Sequence, residues 1–377
     1  ISNVNFVLHM KNIQMVDLKG QYKKINNEID QAISKVVKST NFINGPYVEE
    51  FSKSLTDYLK VDYVIPCANG TDALQISLMS LDLKKGDEVM CPNFTFISTA
   101  EVIKLLNLKI VLVDIDKDTF NLDVNCARKL ISEKTRAIIP VHLFGQCANM
   151  DDVLSFAKDN NLYVIEDSAQ SLGASYTLKN GKKLFSGTIG DIGTTSFYPS
   201  KNLGAYGDGG AIMTNNRDLA RKIKCISNHG SISSYNYEYL GVNSRLDALQ
   251  AAILNVKLKY LDNYNLHRLN IANCYDKLLV SCDEISTPVR FKQSTHIFNQ
   301  YTIKVKNKLH RDSLINFLKS KGISTKIYYP KPIHSYFPYR IKSVKFMENT
   351  IDICQKVLSL PIHSEMDLKT ANYISDK

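Results

Sequence analysis

Lys201 stands in the stretch Ser196-Phe-Tyr-Pro-Ser-Lys-Asn-Leu-Gly-Ala-Tyr-Gly-Asp-Gly-Gly-Ala-Ile-Met-Thr-Asn215, just ahead of a dense glycine cluster. A lysine ammonium that is desolvated, or set beside another cation, loses its proton, and the neutral amine then adds to a carbonyl carbon. Lys201 is therefore read as the amine that holds a carbonyl cofactor. Gly204, Gly207, Gly209 and Gly210 leave room beside it, because glycine has no Cβ and tolerates tight turns. A dinucleotide-binding loop would follow a strand and open a helix, whereas these glycines lead into Ala-Ile-Met-Thr, which reads as a strand. The plainer alternative is a surface lysine in a glycine turn.

Two further stretches supply what such a cofactor needs. Leu162-Tyr-Val-Ile-Glu-Asp-Ser-Ala-Gln170 reads as a buried strand ending at a carboxylate, Asp167, with an amide, Gln170, three positions on. Pyridoxal phosphate needs a carboxylate in that position, because its ring nitrogen must stay protonated for the ring to withdraw electrons. At about 4 Å and an effective dielectric near 20, that ion pair has a Coulomb energy of roughly 4 kcal/mol before desolvation is subtracted. Gln170 could hydrogen-bond the ring's phenolic oxygen. The other reading is an Asp that caps a helix, with Gln170 in solvent. Cys67-Ala-Asn-Gly-Thr-Asp-Ala-Leu turns into a helix at Gly70-Thr71, and the free N–H groups and dipole of a helix N-terminus bind phosphate. Thr71 taken alone serves equally as an N-cap.

Taken together, these stretches resemble the DegT/DnrJ/EryC1/StrS family of sugar aminotransferases, which are pyridoxal-phosphate enzymes of the aspartate-aminotransferase fold. The resemblance runs from about Ile13 to Ile362 and includes Asn44-Gly-Pro-Tyr-Val-Glu-Glu-Phe51, Gly86-Asp-Glu-Val89, Thr95-Phe96, Pro140-Val-His-Leu-Phe-Gly145, Asn243-Ser-Arg-Leu-Asp247 and Leu358-Ser-Leu-Pro-Ile362. It implies that Lys201 is the Schiff-base lysine, Asp167 the partner of the pyridine nitrogen and Gln170 that of the phenolic oxygen. It also implies that Gly70, Thr71 and Ser196 contact the phosphate and that Phe96 stacks on the ring. Asn243 matches a residue that reaches the phosphate of a neighbouring subunit, so the resemblance implies a homodimer with shared sites.

Composition narrows the alternatives. No apolar run reaches the roughly eighteen residues of a membrane span, and no apolar signal-peptide core stands at the N-terminus. The eight cysteines are scattered without a C-x-x-C pair or metal-ligand spacing, as expected of reduced thiols in a cytoplasm. The net charge of +10 is spread along the chain with no nucleic-acid recognition motif, which leaves a lysine-rich surface or attraction of an anionic nucleotide sugar.

The elements that must position these residues form an α/β pattern: a mostly parallel sheet flanked by helices, then a smaller C-terminal α+β part. Residues 1–9 fall outside the resemblance and read as an extension or an expression remnant; 10–257 form the large cofactor-binding domain and 258–377 the small one. Helices are expected over 17–38, from Gly45-Pro46 onward, and over 97–106, 125–131, 150–160, 217–227, 311–321 and 347–358. A long helix is expected from Ser244 across the domain boundary. Strands are expected over 88–91, 109–114, 137–142, 162–166, 300–305 and 323–329, with a hairpin turning at Asn180-Gly181. This hairpin is longer than the family usually has.

The resemblance implies a two-stage transamination. Glutamate displaces Lys201, the freed amine moves the proton at the amino-acid α-carbon, and 2-oxoglutarate and pyridoxamine phosphate result; a keto sugar then takes the amino group by the reverse path. The form Ser-Lys-Asn-Leu-Gly-Ala-Tyr-Gly-Asp-Gly-Gly resembles members acting on 3-keto sugars, pointing to a dTDP-3-keto-6-deoxyhexose in bacterial surface-polysaccharide synthesis. Carbon 4 of a dTDP- or UDP-linked sugar is the alternative. His229, Tyr328, Tyr329 and His334 are the candidate substrate contacts, each with a plain structural alternative, and His142 reads as a structural histidine. A pyridoxal-phosphate-bound regulator without turnover is the non-enzyme alternative, and dehydratases of this fold carry histidine in place of the lysine.

Overall fold

The computed structural model describes residues 12–340 and 346–377, so the reading of residues 1–9 lies outside the described residues. The chain opens with two helices, α1 (Leu18–Ser39) and α2 (Pro46–Leu59). Asp17 starts the first by accepting the Gly20 N–H at 2.7 Å, and Pro46 starts the second, where its missing N–H costs nothing. Then follow β1 (Tyr63–Cys67), α3 (Gly70–Met79), β2 (Glu88–Pro92), α4 (Ser98–Leu105), β3 (Lys109–Val113), α5 (Val124–Leu130), β4 (Thr135–Ile138), α6 (Met150–Asp159) and β5 (Tyr163–Asp167). The hairpin β6 (Ser175–Thr177) and β7 (Lys183–Phe185) stands apart from the main sheet and turns at Gly181, φ +83°.

The chain returns through β8 (Ile192–Ser196), β9 (Gly210–Thr214), α7 (Arg217–Ile226), a short hairpin of β10 (Ser231–Ser233) and β11 (Asn236–Tyr237), and the helices α8 (Ala248–Leu258) and α9 (Leu261–Leu279). The remainder is β12 (Ile285–Ser286), β13 (Tyr301–Val305), α10 (Lys308–Ser320), α11 (Glu348–Lys356), β14 (Val357–Leu360) and α12 (Leu368–Asp376). No described helix is long and apolar enough to cross a membrane.

Seven strands form the central sheet in the order β1-β9-β8-β5-β4-β2-β3. All run parallel except β9, which is antiparallel to both β1 and β8. The carboxyl ends of the parallel strands, and the residues just beyond them, therefore share one edge with the start of β9 at Gly210. In open sheets of this kind that edge gathers the functional groups. Apolar side chains of α3, α4 and α7 pack on one face with Ile65, Val89, Ile165 and Ile212, and each fully buried residue contributes roughly 1.5–3 kcal/mol. A separate core around Tyr275, Tyr301, Ile303, Leu318 and Leu358 joins α9, α10 and α12 to the three-stranded sheet β12-β13-β14.

Four local expectations are corrected. The helix expected from Ser244 begins at Ala248, because Ser244 pairs instead, its N–H donating to Ser227 O and its hydroxyl accepting from Ala68 N. Residues 323–329 are not a strand; they make only the isolated bridges Ile323 to Ile13 and Lys326 to Ser359. The helix expected through Leu358 stops at Lys356, since Val357–Leu360 pairs with β13. The strand expected over 137–142 ends at Ile138, ahead of Pro140, which has no N–H to give a ladder.

Candidate active site

Asp167 is the last residue of β5, and its carboxylate is 6% exposed. Thr99 Oγ1 donates to one oxygen at 2.9 Å and the Ala169 N–H to the other at 3.2 Å. Lys201 lies on the turn after β8, where its own N–H donates to Tyr198 O at 2.9 Å. Burial pushes the half-buried Lys201 amine down to about 8, while the nearby Asp167 carboxylate partly opposes this by favouring the ammonium. The structure thus brings together the two groups that the sequence singled out as amine and carboxylate.

The end that the resemblance assigns to the phosphate is built mainly from backbone. Asn69, not Thr71, caps α3, its side chain accepting the Asp72 N–H at 2.8 Å. That settles the alternative reading of Thr71 and leaves Gly70 and Thr71 at the open end of the helix. A Cβ on Gly70 would lie 2.7 Å from Ser196 Cβ, and one on Gly210 would lie 2.4 Å from Asn69 O. Gly70 and Gly210 therefore have no room for a side chain, and the Ser196 hydroxyl sits beside the helix N-terminus. Phe96, between β2 and α4, is 56% exposed.

Gln170 is buried; its Oε1 accepts the Phe144 N–H at 2.7 Å and its Nε2 donates to Tyr329 Oη at 3.1 Å. The Tyr329 ring packs edge-on to Phe94 at 5.8 Å. Tyr328 lies beside Tyr198, and burial raises the pKa of its hydroxyl. Asn93 holds His334 twice: Oδ1 accepts the His334 N–H at 3.1 Å, and Nδ2 donates to Nδ1 at 2.7 Å, with the Ile333 N–H donating to Asn93 O. Burial lowers the His334 pKa, against the opposing pull of Asp114. Segment 327–334 is thereby docked onto the carboxyl edge of the sheet.

His229 and Asn243 are not part of this cluster. Both are exposed, on paired segments flanking the β10–β11 hairpin, and the neighbouring Ser244 hydroxyl accepts from Ala68 N. His142 is structural, as read. It is fully buried, its Nδ1 accepts the Ala148 N–H at 3.1 Å, and its Nε2 therefore carries the proton donated to Glu166 at 2.7 Å. Glu166 also accepts from the N–H groups of Gly187, Ile189 and Gly190. Sequence reasoning missed Thr99 and Asn93. Only the Thr95-Phe96 motif, which lies between them, pointed to that neighbourhood.

The donor set fits a carbonyl cofactor bearing a phosphate: a lowered amine, a buried carboxylate at a strand end, and a glycine cradle at a helix N-terminus that a Cβ would fill. A "Pleiotropic regulatory protein" of Geobacillus stearothermophilus is 41% identical over 97% of each chain. The "UDP-2-acetamido-2-deoxy-3-oxo-D-glucuronate aminotransferase" of Pseudomonas aeruginosa is 41% identical over 96% of this chain and 98% of its own. The crystal structure of a DegT/DnrJ/EryC1/StrS aminotransferase from Brucella abortus superposes with a TM-score of 0.91 at 37% identity, covering 97% of this chain and 98% of that one. The sequence model of the DegT/DnrJ/EryC1/StrS aminotransferase family matches residues 23–377. The chain belongs to that family of pyridoxal-phosphate-dependent aminotransferases, with the fold that its sheet and flanking helices show.

Proposed function

We propose that this chain passes the amino group of L-glutamate to carbon 3 of a dTDP-linked 3-keto-6-deoxyhexose, in the cytoplasm, for a bacterial surface polysaccharide. The observation that carries the reading is Lys201, a half-buried amine held near 8 at the same sheet edge as Asp167, in a chain of an aminotransferase family. Pyridoxal 5′-phosphate, when bound, supplies an electron-withdrawing ring that stabilises charge at the carbon next to the migrating nitrogen. The chain's residues do the rest. Lys201 Nζ is the tether and, once displaced by the amino donor, takes and returns the proton at that carbon. Asp167 would hold the ring nitrogen protonated, and Gln170, whose Nε2 donates to Tyr329 Oη, would give its remaining N–H to the phenolic oxygen. Phe96 covers the ring, while Gly70, Thr71 and Ser196 bind the phosphate.

Asn243 reaches the phosphate of a neighbouring subunit, so the working unit is a homodimer with shared sites, and His229 is a further substrate contact. Tyr328, Tyr329 and His334 face the sugar nucleotide; with Nδ1 taken by Asn93, His334 presents Nε2–H as a donor. The large domain ends near residue 257, where α8 gives way to α9 across a break at Lys259–Tyr260.

A second substrate reading is a UDP-linked 3-oxo-2-acetamido sugar, favoured by the Pseudomonas aeruginosa relative. The test gives the holoenzyme glutamate and an equal mixture of dTDP-linked 3-keto and 4-keto 6-deoxyhexoses, then the UDP-linked 3-oxo sugar, and locates the new amine by NMR. Amination at carbon 3 is expected, and amination only at carbon 4 refutes the ring position. Absence of sustained 2-oxoglutarate release with every acceptor would support a regulator instead. Lys201→Ala abolishes turnover and the visible absorbance of the cofactor-loaded protein.

A further inference from the structure

A second lysine shares the conditions of Lys201 without sharing its place. Lys257, near the end of α8, is 1% exposed, and burial holds its amine near 8 as well. Among the described residues no carboxylate pairs with it within 4 Å; its Nζ lies 5.1 Å over the Tyr206 ring and donates to a single carbonyl, Gly204 O, at 2.5 Å. Burying an ammonium with so little compensation is costly. The neighbours of Lys257 on α8, Val256 and Leu258, are apolar, and an apolar side chain would fill the position with less penalty.

The carbonyl it holds is the informative part. Gly204 closes the loop that carries Lys201: the Ala205 N–H donates to Phe197 O at 2.7 Å, so residues 198–204 form a loop tied at its base. That loop has little slack, since a Cβ on Gly204 would lie 2.3 Å from Pro199 O. On its other side Asn202 is anchored, its Nδ2 donating to Asn265 Oδ1 at 2.5 Å and to Ile297 O at 3.3 Å. Lys201 therefore projects from a loop tied at its base and held by two side-chain anchors, the Asn202 amide and the Lys257 amine.

We propose that Lys257 is a positioning residue that, by donating to Gly204 O, fixes one end of the Lys201 loop and so sets where Lys201 Nζ meets the cofactor's carbonyl carbon. This rests on Lys201 being the cofactor-bearing lysine. Misplacing a reacting atom by an ångström costs up to about a hundredfold in rate. A loop freed at one of two anchors is expected to lose on the order of tenfold.

The test follows covalent capture of pyridoxal 5′-phosphate by the cofactor-free protein, fixed with borohydride at timed intervals and read by mass at the Lys201 peptide. Wild type and Lys201→Ala come first; no capture at Lys201 in the wild type overturns the assignment of Lys201 itself. Lys257→Met and Lys257→Leu both remove the donor, and whichever folds, by circular dichroism and thermal midpoint, is compared with Lys257→Arg. The expected result is capture slowed about tenfold without the donor and restored to within about threefold by Arg, at equal retention of fold. Wild-type capture in either folded donor-less variant overturns the proposal while leaving Lys201 in place. Equal loss in the Arg variant also overturns it, because the role would then be packing.

Discussion

Replacing Asp167 by Asn separates two jobs that one carboxylate performs. In the structure the carboxylate raises the Lys201 amine while burial lowers it further, to about 8. An ordinary lysine near 10.4 has roughly one neutral amine in 2500 at pH 7. At about 8 the fraction is roughly one in ten, a gain of about two hundredfold in nucleophile. Asp167→Asn removes the charge that stabilises the ammonium, so the amine falls below its present value and the neutral fraction rises. Because only about nine-tenths remains to be deprotonated, the gain at pH 7 has a ceiling of about tenfold.

The assay is reductive alkylation of the cofactor-free protein with a small aldehyde, quantified peptide by peptide, with the exposed Lys60 as internal standard. The variant is expected to modify Lys201 several-fold faster at pH 7, with its pH profile inflecting below that of the wild type, while transamination collapses for want of a partner to the ring nitrogen. A Lys201 rate that is unchanged or slower in the variant would refute the electrostatic account of the pair.

Two further outcomes follow from packing. Gly70→Ala puts a Cβ within 2.7 Å of Ser196 Cβ, so equilibrium dialysis should show pyridoxal 5′-phosphate affinity falling at least about tenfold, at a strain cost of about 1–3 kcal/mol. Glu166→Gln sets an amide among four N–H donors where only one oxygen can accept; unfolding in urea should show a loss of about 2–4 kcal/mol, with Lys201 alkylation unchanged.

Much of this site is legible in the sequence because its parts sit on short, strongly patterned segments. The β-branched and aromatic run Tyr-Val-Ile ends at Glu166-Asp167, where the strand ends, so Asp167 is legible as a strand-end carboxylate. The Ala-Ile-Met-Thr run likewise separates the glycine cluster from a dinucleotide loop, and it is indeed β9. Less legible are residues whose roles depend on long-range pairing. Ile192–Ser196, with three of its five residues Gly or Thr, shows little apolar signal but is held in place by β5 and β9. Segment 323–329 has strand-like residues, yet the Tyr329 hydroxyl is drawn to Gln170, and Pro330 and Pro332, which follow directly, can give a ladder no N–H. Thr99 looks like any helix threonine until β5 folds beneath it, and Lys257 looks like a surface charge until α8 is packed against the Lys201 loop.

The cofactor end of the site is made almost wholly by the sheet edge and its first turns, whereas segment 327–334 arrives from elsewhere and is latched there through Asn93 and Gln170. These two halves can diverge at different tempos. Glycines that touch backbone at Gly70 and Gly210 admit no drift, while the latched segment can be rewritten so long as its two anchoring contacts persist. If this segment faces the acceptor as proposed, a library that diversifies residues 327–334 between those anchors would search acceptor preference while inheriting the amine chemistry intact.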